Sequence, residues 1–182
     1  MALLTVLTAP DPRLKVKAKP VAKVDAAVRK LMDDMLETMY LAPGIGLAAP
    51  QVGVAKRVIV LDIAGKDEEP APLRMANPEI IWKSEETVTQ EEGCLSVPEH
   101  YADVKRPAKI RVRYLDHENE IRELEADGLL ATCIQHEMDH LEGVLFIDKI
   151  SALKRGMILR KLAKARKAEA EPVPARGARM RG

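Results

Sequence analysis

The chain has 182 residues, of which 47% are hydrophobic and 31% charged, a composition typical of one soluble globular domain. Its apolar runs are only strand-sized, and its N-terminus lacks the basic segment of a secretory signal, so neither a membrane-spanning nor an exported protein is expected. With two cysteines and no export signal, the composition favours free thiols in a reducing compartment over a disulfide framework.

The net charge of +1 is distributed unevenly along the chain. Residues 149–182 hold eleven Lys or Arg against two acids, a net charge of +9, which leaves residues 1–148 at −8. A basic extension on an acidic body favours contact with a polyanion, although a solvated helix face and a disordered tail explain the same pattern. We divide the chain into a domain at residues 1–168, with a C-terminal helix from about 151, and a basic disordered tail at 169–182.

Apolar residues at helical spacing predict a first helix over residues 25–40, with Asp25 as its N-cap. The segment PGIGLAAPQVG, residues 43–53, then contains a G-x-G-x-x-A pattern, but a dinucleotide site needs a strand before that pattern and a helix after it. Here a helix precedes and Pro50 and a strand follow, so a glycine-rich strand that pairs with a peptide backbone fits better. Gln51 offers an amide that could donate to a developing oxyanion.

The rest of the chain reads as short strands followed by helices. Alternating or β-branched runs predict strands at residues 57–63, 79–89, 109–115 and 120–125. Pro98 is expected to stop a regular strand, and Asp127 to cap a helix over about 128–141. This order indicates an α+β fold, with antiparallel or mixed sheets around that central helix and a further helix near each end.

The central helix carries His136, Glu137 and His140, which spell the H-E-x-x-H metal signature. The two histidines share one face of a largely apolar helix, and buried imidazoles need partners. A catalytic metal usually takes three protein ligands. One protease class places a third histidine where this chain has Phe146, and another uses a downstream acid, which residues 149–168 lack.

The two cysteines are the next candidates for the third ligand. Cys133 shares the helix face of the histidines, but it lies about 10 Å along the axis from His140, too far to bind one ion with both. Cys94 is either a small buried hydrophobe or a thiolate that completes a Cys-His-His site with one open position for water. In that arrangement Glu137 would shuttle the proton of the water.

Three segments together resemble the peptide deformylases: GIGLAAPQ at residues 44–51, EGCLS at 92–96 and QHEMDHLEG at 135–143. The likeness covers roughly residues 1–168. It implies a cytoplasmic metallohydrolase that removes the formyl group from the N-terminal formyl-methionine of newly synthesised proteins and releases formate.

The resemblance also implies roles for individual residues. Glu137 would act as general base and acid, while the Gln51 side chain and the Leu95 backbone N–H would hold the oxyanion. One divalent ion, ferrous iron physiologically and replaceable by zinc, nickel or cobalt, would be bound by Cys94, His136 and His140. The implied substrate contacts are Ile45, Gly46 and Gly93 for the backbone, Leu129, Cys133 and the edge of His136 for the methionine side chain, and Tyr101 near the peptide. Thr132 is polar where an aliphatic residue would be expected beside that pocket.

The chain further resembles the members that end in a C-terminal helix, which docks on the ribosome near the tunnel exit. The +9 extension would then meet ribosomal RNA. A monomer is expected. Two alternatives remain open: a general metallopeptidase, and a ribosome-associated binding module whose metal is structural. Phe146 counts against the first, and the second would be expected to show a fourth protein ligand.

Overall fold

The computed structural model describes residues 2–170, and within them it contains three α-helices and seven β-strands. The helices are α1 (Ala26–Leu41), α2 (Gly128–Leu141) and α3 (Ala152–Ala170). The strands are β1 (Gly46–Ala48), β2 (Val58–Leu61), β3 (Leu73–Lys83), β4 (Thr87–Cys94), β5 (Val97–Pro107), β6 (Lys109–Leu115) and β7 (Ile121–Asp127). The predicted α+β class is confirmed. No helix in the described part of the chain is long and apolar enough to cross a membrane.

The strands form two antiparallel sheets, and α2 contacts both of them. The larger sheet has the order β1-β2-β3-β6-β7, whereas β4 and β5 pair only with each other. Ile134 and Leu141 of α2 are fully buried against Ile59 and Met75 of the larger sheet. Because β1 lies at the edge of this sheet, one side of its backbone is free to pair with another chain.

The first helix forms as predicted. The Asp25 side chain accepts a hydrogen bond from the backbone N–H of Val28 at 2.9 Å, which satisfies one of the free donors at the helix start. Met32, Met35 and Met39 have no exposed surface and pack in the cluster that also contains residues of β1 and β2. This packing fixes α1 against the edge of the larger sheet.

The helix α2 has the predicted bounds but not the predicted cap. Asp127 occupies the N-cap position, yet its side chain makes no capping hydrogen bond. The chain instead enters the helix through Gly128, whose φ of +54° is a conformation that favours glycine. Beyond the other end, Gly143 has a φ of +73°, and a Cβ there would lie 2.4 Å from the carbonyl oxygen of Lys15.

The single strand predicted at residues 79–89 is wrong. β3 ends at Lys83 and β4 begins at Thr87, in a different sheet. Between them the Ser84 hydroxyl donates to the carbonyl oxygen of Glu86 at 2.8 Å. This local bond lies at the point where the chain leaves one sheet and starts the other.

The sequence also gave no prediction of β5, and the expectation that Pro98 stops a strand is wrong, because Pro98 lies inside β5. Both strands of a two-stranded sheet have an outer edge, where a proline costs no ladder hydrogen bond. The register shifts between Gly93, which pairs with Tyr101, and Cys94, which pairs with Val97. The shift places Cys94 at the turn of the β4–β5 hairpin.

The C-terminal helix continues through Ala170, two residues past the predicted end of the domain. Leu162 is buried, and Ile158 and Leu159 pack beside it on the cluster that contains Phe146. This contact fixes α3 to the body of the domain. Residues 171–182, the greater part of the predicted tail, lie outside the residues that the structure describes.

Candidate active site and metal centre

Cys94, His136 and His140 converge, with one ligand atom of each within 4.8 Å of the others. Cys94 comes from the hairpin turn, and the histidines come from successive turns of α2; the Cys94 Sγ lies 3.4 Å from Nε2 of His140. Among residues 2–170 no other grouping of three His, Cys, Asp or Glu side chains has this geometry. The structure therefore brings together the three residues that the resemblance implied as ligands.

The chemistry of these donors fits a divalent ion. Burial lowers the pKa of His140 well below its usual value, so its imidazole is neutral and has a lone pair to donate. At His136 burial acts in the same direction, but hydrogen bonds with Cys94 and Glu92 outweigh it and raise its pKa well above the usual value. The thiol and the carboxylate around His136 thus favour a positive charge beside its ring, which a metal ion would supply in place of a proton. A thiolate with two imidazoles suits zinc or ferrous iron.

Cys133 and Phe146 lie beside this grouping without joining it. The Cys133 Sγ lies 3.7 Å from the carbonyl oxygen of Ile45, and burial raises the pKa of its thiol well above the usual value. The Phe146 ring is buried and stacks on the His136 ring, with centroids 6.0 Å apart and planes 26° apart. The position at which one protease class has a histidine is therefore a packing residue here.

A chain of buried ion pairs holds the His136 ring at its Nδ1. The Nδ1 of His136 lies 2.9 Å from a carboxylate oxygen of Glu92, and Arg106 donates to both oxygens of Glu92 at 2.6 and 2.9 Å. Arg106 donates in turn to Asp139 at 2.7 Å. Since Nδ1 is engaged with the carboxylate, Nε2 is the nitrogen of His136 that is left for a metal.

Sequence reasoning missed both Glu92 and Arg106, although one signal was available for the first. In a strand, alternate residues face the same side, so Glu92 must share a face with Cys94. The structure extends this pattern: Gln90, Glu92 and Cys94 of β4 contact Thr132, His136 and His140, which lie one turn apart on α2. Nothing in the sequence distinguishes Arg106 from an exposed strand arginine.

The contribution of Glu92 to the free energy of unfolding is expected to depend on pH. Burial alone would raise the pKa of Glu92, but hydrogen bonds from Arg106 and His136 outweigh it and lower the pKa from 4.5 to about 2. The folded protein therefore binds fewer protons at this group than the unfolded chain does. Its stabilising effect is complete above pH 4.5 and is lost as the pH falls through about 2.

Urea unfolding with a chelator present measures this effect. The stability advantage of the wild type over Glu92→Gln should shrink progressively as the pH falls below about 5. An advantage that stays the same down to pH 3 would contradict the lowered pKa.

An open cleft of about 690 Å³ lies between β1, the β4–β5 hairpin and α2. His140 is not part of its wall. The other residues to which the family resemblance gave a role all line it: Ile45, Gly46, Gln51, Gly93, Cys94, Leu95, Tyr101, Leu129, Cys133, His136 and Glu137.

Glu137 is an almost fully buried acid at the base of this cleft. Burial raises its pKa from 4.5 to about 7, and its Oε2 is buried without a hydrogen-bond partner among the described residues. Gly46 packs directly on it, because a Cβ at Gly46 would lie 2.9 Å from the Glu137 Oε1. A carboxyl group with such a pKa can both accept and donate a proton near neutral pH.

The Gln51 amide has a fixed orientation at the wall of the cleft. Its Oε1 accepts a hydrogen bond from the backbone N–H of Ala48 at 2.9 Å. Its Nε2 therefore faces the other way, 3.0 Å from the Ser96 hydroxyl and 3.4 Å from the Cys94 Sγ. This arrangement points an N–H donor toward the metal grouping.

Comparison with known proteins identifies what this arrangement resembles. The family model described as polypeptide deformylase matches residues 3–156. The peptide deformylase of Methylocella silvestris is 60% identical over 174 residues, which are 94% of this chain and 89% of that protein. The crystal structure of peptide deformylase from Ehrlichia chaffeensis has a TM-score of 0.89 and 40% identity, covering 93% of this chain and 100% of that one. A second structure from that organism, in complex with actinonin, has a TM-score of 0.85 and 43% identity, with 91% and 98% covered.

Proposed function

The chain belongs to the polypeptide deformylase family, and from that premise we propose that Cys94, His136 and His140 bind the metal ion of the enzyme. Peptide deformylases are metal-dependent, and this enzyme hydrolyses the formyl group from the N-terminal formyl-methionine of newly synthesised proteins, releasing formate. The ligand assignment rests on the convergence of one thiol and two imidazoles beside a buried carboxyl group.

Ferrous iron is the proposed physiological ion. A thiolate and two imidazoles suit both Fe²⁺ and Zn²⁺, and the same donors also accept Ni²⁺ or Co²⁺. The family resemblance of the three motifs favours iron among these. When bound, the ion supplies Lewis acidity and lowers the pKa of a coordinated water.

Glu137 moves the protons in the proposed mechanism. Its pKa of about 7 leaves part of the carboxyl group ionised at neutral pH. The carboxylate takes a proton from the water that attacks the formyl carbon, and the resulting acid gives it to the amine nitrogen as the C–N bond breaks. Because Oε2 has no partner among the described residues, this transfer requires no hydrogen bond within the protein to be broken first.

Two donors hold the developing negative charge on the formyl oxygen in this mechanism. The first is the Gln51 Nε2, whose orientation the Ala48 N–H fixes through the Gln51 Oε1. The second is the backbone N–H of Leu95, at the hairpin turn beside Cys94. Donors that are oriented before the reaction stabilise an oxyanion better than mobile water does.

The substrate peptide is proposed to pair with Ile45 and Gly46, at the start of the edge strand β1, and with Gly93 across the cleft. Gly93 cannot carry a side chain without displacing Tyr101, since a Cβ there would lie 2.5 Å from the Tyr101 ring. The methionine side chain then packs on the wall formed by Leu129, Cys133 and the edge of His136.

Metal analysis of anaerobically purified protein, combined with a deformylation assay, tests the ligand assignment. We expect about one ion per chain in the wild type and in Cys133→Ala, and loss of both the ion and turnover in Cys94→Ala. Cys133→Ala is the control for metal content, because it removes the other thiol of the same cleft. Stoichiometric metal in Cys94→Ala would refute the assignment.

The same assay separates the two alternative functions. A general metallopeptidase would cut internal bonds of unformylated peptides, whereas a deformylase releases formate from formyl-methionyl peptides only. A structural metal would be expected to have four protein ligands, and the grouping within residues 2–170 has three. The binding module with a structural metal is therefore the weaker of the two alternatives. Cleavage of internal bonds without formate release would instead favour the metallopeptidase.

The helix α3 is the proposed contact with the ribosome near the tunnel exit. Its side chains are mostly exposed. Its charged residues are one acid, Glu169, and seven bases: Lys154, Arg155, Arg160, Lys161, Lys164, Arg166 and Lys167. Binding through these side chains should weaken steeply with salt, because counterions are released from the RNA. Co-sedimentation with ribosomes should fail for a Lys161→Glu/Lys164→Glu variant, and unchanged binding would contradict the proposal.

A cytoplasmic monomer is proposed for the enzyme, with residues 1–168 as its domain. Sedimentation velocity tests this directly, since a dimer at micromolar concentration would contradict it.

A further inference from the structure

The wall of the cleft beside Leu129 and Cys133 contains a polar pair that deformylation does not use. The Thr132 hydroxyl of α2 donates to the Gln90 Oε1 of β4 at 3.0 Å, and both side chains line the cleft. Thr132 is 7% exposed, and it lies one turn before His136 on the same helix face. A pocket for methionine alone would need no polar group at this position.

The pair leaves hydrogen-bond donors free at the wall. The Gln90 Oε1 accepts the Thr132 hydroxyl, so the amide nitrogen is the part of Gln90 that remains available. Within residues 2–170 this nitrogen makes no hydrogen bond, and it is not among the fully buried atoms without a partner. It therefore offers an N–H donor to whatever side chain enters the pocket.

A methionine thioether uses such a donor poorly, because its sulfur is a weak acceptor. Oxidation converts the same side chain into methionine sulfoxide, which has nearly the same length and carries a strong acceptor oxygen. An entirely apolar wall would exclude the sulfoxide, since its oxygen would be buried without a hydrogen bond. The Gln90 amide removes that penalty.

We propose that Gln90 and Thr132 make this enzyme accept formyl-methionine sulfoxide, so that it also deformylates chains whose first residue has been oxidised. The inference rests on the proposed placement of the methionine side chain beside Leu129 and Cys133. Hydrolysis adds water across the formyl C–N bond and releases formate. The sulfoxide group stays on the peptide and is not altered. Because the donor lies on one wall only, one of the two sulfoxide epimers is the better substrate.

Ratios of kcat/KM test the proposal. Formyl-methionyl, formyl-norleucyl and the two separated formyl-methionine-sulfoxide tripeptides are compared in enzyme of equal metal content. In the wild type the better sulfoxide epimer is expected within about 10-fold of methionine. In Gln90→Met that ratio should fall by about 10-fold or more, and the norleucine-to-methionine ratio should not fall. Thr132→Val, which removes only the group that orients Gln90, should lower the sulfoxide ratio less.

Thr89→Val is the matched control for Thr132→Val, because it replaces the same kind of side chain at an exposed neighbour of Gln90 on β4. It should leave every ratio unchanged. A second readout is the inhibition constant of the unformylated sulfoxide peptide, which should rise in Gln90→Met. The proposal is overturned if wild type rejects both epimers by more than about 100-fold, or if Gln90→Met loses the methionine and sulfoxide substrates equally. Failure of wild type to hydrolyse formyl-methionyl peptide is a different result, which would contradict the function itself.

Discussion

Replacing Glu137 with glutamine is expected to lower kcat by about 10²–10⁴-fold while about one metal ion per chain stays bound. Glutamine has the shape of the buried carboxyl group but cannot accept and return a proton near neutral pH. The three proposed ligands are unchanged, so metal content should not follow activity. Single-turnover rates on a formyl-methionyl peptide, with metal analysis of the same sample, measure both quantities.

Glu142→Gln provides the control for this substitution. Glu142 lies just after α2, is about half exposed and pairs with Arg57 at 2.8 Å, outside the cleft. Its replacement should leave both kcat and metal content at the wild-type level. Full activity in Glu137→Gln, with metal bound, would show that another group moves the proton.

Replacing Arg106 with methionine is expected to lower the free energy of unfolding by about 3–5 kcal/mol. Arg106 and Glu92 have side chains only 4% exposed, and they are joined by two hydrogen bonds. Removing the guanidinium leaves the Glu92 carboxylate buried with His136 as its remaining partner. Depriving a buried charge of its main partner costs far more than the loss of an exposed pair.

Arg111→Met tests this explanation. Arg111 also pairs with a glutamate, Glu125, but both side chains are exposed. We expect a loss of at most about 1 kcal/mol from it. If the uncompensated carboxylate is the cause, Arg106→Met/Glu92→Gln should recover part of the stability lost in Arg106→Met. Urea unfolding at pH 7 measures all four proteins, and equal losses at the two arginines would contradict the argument.

The parts of the fold set by local patterns could be predicted from the sequence. The methionine stripe and Asp25 gave α1 within a residue at each end, and the bounds of α2 were predicted. The β3–β4 break was not, because which sheet a strand joins depends on long-range pairing that a local pattern does not show. β5 was missed because Pro98 reads as a strand breaker unless the strand is known to lie at an edge.

Part of the candidate site could likewise be predicted from the sequence and part could not. The sequence shows the period of two that aligns Glu92 with Cys94 and the period of four that aligns His136 with His140. It does not show that these two faces meet, since that depends on a separate two-stranded sheet packing against α2. The buried position of Arg106 follows from the same long-range packing, and a strand arginine is more often exposed.

The division of the strands into two sheets makes the proposed metal ion a cross-link. Its thiol donor belongs to the β4–β5 hairpin, whereas its imidazole donors belong to a helix packed on the larger sheet. Cys94 and His140 are 46 positions apart in the chain. Closing a loop of that size restricts the unfolded chain as a disulfide would, a stabilisation of about 4 kcal/mol in the chain-entropy description. We therefore expect exchange of the proposed ion to be coupled to the opening of the hairpin away from α2, and the same ion would hold the two sheets together.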